Sequence, residues 1–434
     1  MLSRFLAFAL CFLGFARIAS AQTPAPERPQ FRLFVIRDKG KWGFIDRSGK
    51  VIIHPRFDEV GARSEGIWSV RSGAQWGFVS ELSGGVSVTP RYQAVATFSE
   101  GLCAVVAGGK IGFVGKNGVF QIPPRYTVEK FDLNFGLWAI RYLFKGGLSP
   151  AEISPAQVIA DGFKGTWGFI DRRGQWMIEP RFRDAETMSD GMAQVTLEDG
   201  GEGQDGYVSK DDQFIPLPAG SVALYSEPFY ESLAVVAKRR GEGGEMRFGF
   251  LDKNGHWVIA PSFLAVLPGS DAIEGRVGFH EGLATVMTGD SPANVRLGWI
   301  DKDGKWAIEP RFNGGGMGFV RGLTPARIGE TAGEGLGGFI DKTGQFVIQP
   351  QFEKMGAFTD ILAPVQKKGE KWGYIDARGQ QAIAPRFDYI PLEKVITNEM
   401  MALQFRDGLA YVSEGKTRGY IDTTGDWVWK ESGE

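Results

Sequence analysis

Lys41-Trp42-Gly43-Phe44-Ile45-Asp46-Arg47-Ser48-Gly49-Lys50-Val51-Ile52-Ile53-His54-Pro55-Arg56-Phe57 decides the fold, because recognisable versions of it recur from here to the C-terminus. Trp42 to Asp46 is aromatic and β-branched in character, and so is Lys50 to Ile53. The short link between them ends in Gly49, the pattern of a hairpin. Asp46 can accept from the backbone two residues on, and Gly49 can take the positive φ that closes the turn. Val51 and Ile53 alternate with polar or variable neighbours, so one face of the second strand is buried. Pro55, lacking an N–H, is expected to stop the ladder, with Phe57 as an apolar plug beneath the connection.

Aligned on the glycine of Trp42-Gly43, copies stand at Gly43, Gly77, Gly112, Gly168, Gly206, Gly249, Gly298, Gly338, Gly373 and Gly419. The copy at Gly206 is degenerate and the one at Gly419 truncated. A third element follows the proline: Phe98-Ser99-Glu100-Gly101-Leu102-Cys103-Ala104-Val105 has relatives at Met188 to Val195, Phe279 to Val286, Phe358 to Val365 and Phe405 to Val412. It reads as an aromatic anchor, an acid-Gly turn and a strand. Each unit is then a three-stranded meander that cannot hide its apolar face alone, so neighbours must stack. The expected fold is all-β, an open, curved solenoid of tandem meanders over residues 33–430, with a closed β-propeller as the alternative. Unequal repeat spacing favours the open form.

Lys41-Trp42-Gly43-Phe44-Ile45-Asp46, Thr166-Trp167-Gly168-Phe169-Ile170-Asp171 and Lys371-Trp372-Gly373-Tyr374-Ile375-Asp376 resemble WG (KWG) repeats, and the resemblance covers nearly all of the chain after residue 32. It implies a bacterial, often exported, non-enzymatic repeat protein without a cofactor. The chain departs from the repeat where the turn Asp becomes Ser80, Gly115 or Ser209, and where Asp212 replaces the turn glycine. Altered turns are expected there. Spacing stretches near 127–165 and 264–295, which read as insertions. Within the first, Ser149-Pro150-Ala151-Glu152 has capping-box form and predicts a short helix over 150–160.

At the N-terminus, Met1 and Arg4 precede the apolar run Phe5 to Phe15, and Ala19-Ser20-Ala21 has cleavage-site character. Residues 1–21 read as a secretory signal and 22–32 as a Pro-rich leader, which places the mature chain in the periplasm or outside the cell. No later run approaches the roughly 20 apolar residues that a membrane helix needs. The whole chain carries a net charge of −2, giving no reason to expect nucleic acid as a partner. Cys103 is the only cysteine after residue 21, so no internal disulfide can form, and a small buried apolar role fits it.

Catalytic motifs do not emerge. His54, His256 and His280 lack metal-ligand spacing, no nucleophile elbow or phosphate loop is present, and the recurring aspartates are explained by turn geometry. The resulting expectation is no enzyme, no metal and no cofactor, but a scaffold that binds a protein or polysaccharide of the cell envelope or exterior. A hydrolase with its site in the inserted loops and a purely structural spacer are the alternatives. Candidate contact residues are Trp42, Trp76, Trp167 and Trp372, and Arg56, Arg181, Arg311 and Arg386. The plainer expectation is that the tryptophans pack on the next unit and the arginines pair with the repeated aspartates.

Overall fold

The computed structural model describes residues 32–127, 141–223, 229–241, 244–267, 278–289, 294–316, 318–330, 335–390 and 403–431. Residues 1–21, read as a secretory signal, and nearly all of the leader read over 22–32 lie outside them. Numbering the units 1 to 10 by their glycines, unit 2 shows the full pattern: strands a, b, c and d are Glu59–Ser64, Ile67–Ser72, Gln75–Ser80 and Gly85–Tyr92, paired in that order as an antiparallel meander. A short strand a is thus added to the three expected. Its counterpart in unit 3 is only Ala94–Val95.

The c–d hairpin forms as its residues dictate. Asp46 Oδ1 accepts from Ser48 N at 2.8 Å and Lys50 N at 3.1 Å, and Gly49 lies at φ +86°. Ser209 substitutes for Asp in unit 5, its hydroxyl accepting from Asp211 N and Gln213 N while Asp212 takes the positive φ. Pro55 does not end the ladder. Strand d runs on to Phe57, because the pairing jumps from Phe44↔Ile53 to Trp42↔Phe57 and accommodates the proline in a bulge. That bulge explains the glycine after Trp: a Cβ on Gly43 would sit 2.5 Å from the Ile53 carbonyl oxygen.

Neighbouring units join through aromatics. The residue after the repeat glycine in strand c packs on the anchor of the following unit, as in Phe78 with Phe98, Phe113 with Phe144 and Phe250 with Phe279, at centroid distances of 5.0, 5.1 and 4.8 Å. Each such residue is fully buried and contributes roughly 2–3 kcal/mol of apolar burial. The ten units make nine sheets, because unit 4 and unit 5 share a six-stranded one. There the strand Trp176–Ala185 serves as strand d of unit 4 and continues as strand a of unit 5.

The array is a closed nine-bladed β-propeller, so the open solenoid is overturned in favour of its alternative. Unit 10 meets unit 1 across 385 residues of sequence: the Tyr420 hydroxyl donates to the Val35 carbonyl at 2.9 Å, and Phe34 packs edge-on against Tyr420 at 5.7 Å. Leu33 to Ile36 share one apolar cluster with Leu409, Tyr411 and Tyr420. Arg32 pairs with Asp407 at the same seam. Closure removes the bare apolar faces that the end units of an open stack would expose. Unequal spacing is absorbed in the loops. The stretch 127–165, read as an insertion, contains strand b of unit 4, Ser149–Glu152, and 264–295 contains strand b of unit 7, Leu283–Thr288.

The helix predicted over 150–160 starts later, at Pro155–Asp161. Ser154 is its N-cap and accepts from Gln157 N, Pro155 occupies the first turn, and Gly162 closes it at φ +73°. Ser149-Pro150-Ala151-Glu152 is a strand because pairing with Trp167–Ile170 outweighs a capping box with no apolar face behind it.

Candidate functional site

The repeated tryptophans are core. Trp42 is buried beneath the Arg37 guanidinium, 5.3 Å from its ring, and Trp76 is half-buried with Arg71 at 5.9 Å. Trp167 is buried between Tyr142 and Arg141, at 5.5 and 5.2 Å, and Trp372 is buried in a cluster with Leu362, Tyr374 and Phe387. The ring that reaches the next unit is therefore the one two residues later, not the tryptophan.

Arg181, Arg311 and Arg386 are inter-unit staples, and none of the four repeated arginines shows the expected pairing with a repeated turn aspartate. Arg311 lies over Phe312 at 5.1 Å and donates to the turn carbonyl of Gly344 in the next unit at 2.5 Å. Arg386 does the same with Phe387 and Gly425. Arg56 stacks on Phe57 at 5.2 Å. Arg181, over Phe182, meets Asp212 Oδ1 at 2.6 Å, the place where aspartate replaces the turn glycine. Arg91 and Arg125 play the same part toward Gly118 and Gly174. They escape the sequence reading because tyrosine follows them instead of phenylalanine.

With the repeated residues committed to the fold, the site is where the pattern breaks. The a–b turns and c–d turns lie at one end of every meander and are linked from unit to unit. Ser64 donates to the Phe98 carbonyl and Ser99 to the Phe144 carbonyl, at 2.6 and 2.5 Å, and Ser189 repeats this toward Phe229. One residue on, a carboxylate accepts from the next turn: Glu65 from Gly101 N, Glu100 from Gly147 N, Asp190 from Ser232 N and Glu231 from Gly282 N. A basic residue of the next c–d turn seals the acid, as Lys116 does with Glu65 and Lys253 with Asp190. Units 4 and 8 depart at both positions, unit 8 with Val320 and Arg321, and unit 4 with Lys145 in place of serine and Gly146 in place of the acid. Beside that turn opens a cleft of about 470 Å³ lined by Lys145, Ser189, Asp190, Tyr230, Glu231 and Lys302, among others. Lys302 bridges to Glu231 at 2.9 Å, and Tyr230 stacks on His280 at 4.7 Å. The signal was Phe144-Lys145-Gly146-Gly147-Leu148, a degenerate copy of Phe98-Ser99-Glu100-Gly101-Leu102 inside a stretch read as an insertion.

The arrangement offers two ammonium groups, two carboxylates, a phenol and backbone to a bound surface. Among the described residues, no group of three or more His, Cys, Asp or Glu side chains could hold a metal ion. Titration is perturbed where the fold is made: the Thr343 hydroxyl and then the backbone N–H groups of the turn hold the Asp341 carboxyl below its ordinary value. Burial pushes the Cys103 thiol upward, and its Sγ–H donates to the Ala96 carbonyl, an inert core cysteine. No helix among the described residues is long and apolar enough to cross a membrane.

Fold and repeat chemistry together define a β-propeller built from tandem meanders with interlocked turns. A family model described as a WG containing repeat matches residues 42–73, 76–110, 167–200, 298–331, 338–371 and 372–393, and the chain is a WG-repeat-containing protein. A comparison with curated proteins finds no match. Solved structures similar to the chain include BamB from Moraxella catarrhalis, at 10% identity over 92% of each chain with a TM-score of 0.30. The β-propeller domain of the Trilobed protease from Pyrococcus furiosus matches at 10% identity over 75% of this chain and 95% of that one, TM-score 0.30. PorZ from Porphyromonas gingivalis matches at 12% identity over 92% and 58%, TM-score 0.20.

Proposed function

We propose that the protein is a non-enzymatic binding scaffold, exported through the signal-like residues 1–21, that holds a protein or glycan of the cell envelope or exterior in the cleft beside Gly146. The observation that carries this reading is the break in the turn-to-turn links at unit 4. In units 2, 3, 5 and 9 a hydroxyl and a carboxylate tie successive turns together, whereas Gly146 stands beside an open, mixed-charge recess of about 470 Å³, a size suited to one or a few side chains or sugar rings.

The test restores the link. Gly146 lies at φ +62° with nothing within 4 Å of an added Cβ, and Glu100 adopts φ +51° at the equivalent place, so Gly146→Glu is expected to fold. The purified chain is used as bait against a periplasmic extract and a panel of envelope polysaccharides. A specific partner retained by the native chain and lost with Gly146→Glu is the expected result. Retention equal in the two proteins, or none above background in either, refutes the assignment.

A further inference from the structure

At the opposite end of the meanders, where strands b and c are joined, units 6 and 7 enclose a second recess of about 470 Å³ lined by Lys238, Arg239, Arg240, Arg247, Pro261, Ser262, Thr288 and Gly289. Among the described residues, its ionisable lining consists of four cations. We propose that this recess is a binding site for a phosphate-bearing ligand.

The register shows how unusual the charge arrangement is. Lys238 and Arg247 are directly opposed across strands b and c of unit 6. The equivalent pair is Asp38↔Lys41 in unit 1, Ser72↔Gln75 in unit 2, Ala107↔Lys110 in unit 3 and Glu414↔Thr417 in unit 10. Like charges directly opposite destabilise a sheet. In a chain of net charge −2, the concentration of four cations in one recess is a cost to the unliganded fold that a bound anion relieves. Among the described residues, a single carboxylate pairs with these cations. Glu245 reaches Arg247 at 2.9 Å, but its side chain is 68% exposed and screened by water. Arg239 donates to the Gly244 carbonyl, a neutral partner. Position 262 adds to the opening: Ser262 stands where other units carry the stapling arginine, as in Pro310-Arg311-Phe312.

The chemistry selects the ligand. Guanidinium groups offer planar pairs of N–H donors that match two oxygens of a tetrahedral oxyanion, the Lys238 ammonium supplies a compact point charge, and a dianion answers more of the charge than a carboxylate would. The volume exceeds that of a bare phosphate and leaves room for a polar body. The lining residues all fall within 201–297, between stretches that match the family model.

The experiment compares the full native chain with Lys238→Gln/Arg247→Gln, and with Lys305→Gln as a control on an exposed lysine elsewhere. Thermal unfolding midpoints are read in inorganic phosphate, in a sugar monophosphate and in sodium chloride at matched ionic strength, and sedimentation is measured with phosphatidic acid vesicles. Without ligand, the double variant is expected to unfold at or above the native temperature, because a repulsion has been removed. Phosphate should raise the native and control midpoints above the chloride values and leave the double variant unmoved, with binding weakened at least tenfold in titration calorimetry. Response to the soluble phosphates assigns a small ligand; variant-sensitive sedimentation alone assigns the phosphate to a lipid headgroup. Equal response to phosphate and chloride, with no variant-sensitive sedimentation, overturns the proposal. Ser262→Glu, at an exposed position, is a second variant that places a carboxylate at the recess and should abolish the response. The Gly146 cleft lies at the other end of the blades, so Gly146→Glu leaves this response intact.

Discussion

Gly344→Ala probes the joint between sheets. Gly344 sits at φ +80°, and an added Cβ would lie 2.7 Å from Ile308 Cγ2 and 3.2 Å from the Arg311 guanidinium, both on the preceding unit. Two costs add: about 1–2 kcal/mol for a left-handed non-glycine residue, and about 1–3 kcal/mol for overpacking against Ile308. Gly369 has nearly the same backbone, φ +76°, but nothing within 4 Å of its Cβ position. Gly369→Ala therefore carries only the first cost, and the difference between the two variants, about 1–3 kcal/mol, isolates packing between units. Urea unfolding of each purified chain, followed by tryptophan fluorescence, gives the two losses as shifts in midpoint multiplied by the common slope. Equal losses for the two variants would refute the claim that the turn glycine is wedged against its neighbour. A loss for Gly369→Ala exceeding that of Gly344→Ala would refute the same claim more strongly.

Arg311→Lys keeps the charge but loses the planar group lying on Phe312 and the geometry of the bond to Gly344, so it should cost about 1–2 kcal/mol in the same urea assay. Tyr420→Phe leaves the Val35 carbonyl at the seam without its donor and should cost about 1–3 kcal/mol, read as a lower unfolding midpoint and faster proteolysis at the seam. Acid stability follows from Asp341, whose ordinary value of 3.8 is lowered by the Thr343 hydroxyl and turn N–H groups. Its contribution is complete above the ordinary value and is lost as pH falls through the lowered one, so Asp341→Ala should flatten the decline in midpoint below about pH 4.

Much of one unit was legible from its residues. Asp46 and Gly49 make the hairpin they advertise, Phe98 and Glu100-Gly101 make an anchor and a turn, and Cys103 is the buried thiol that its apolar neighbours imply. The helix was displaced because Ser149-Pro150-Ala151-Glu152 carries a local capping pattern, while the strand that claims it lies beyond the loop, at Trp167–Ile170. Pro55 was read as a stop because the bulge that admits it is a property of the paired strand, not of Pro55. The arginines were misassigned for a similar reason. Their acceptor is a backbone carbonyl, which every residue possesses and no letter marks.

By itself, the sequence determined the meander, its turns, its buried face and the repeat family, because these depend on contacts among neighbouring residues and repeat wherever the letters repeat. Tertiary structure alone decided that the array closes, since closure depends on small rotations summed over ten units and on the fit of Phe34 to Tyr420. It also decided where the surface is recessed. Gly146 and the Lys238↔Arg247 pair look unremarkable one at a time, and acquire meaning only beside the equivalent turns and strands of neighbouring blades.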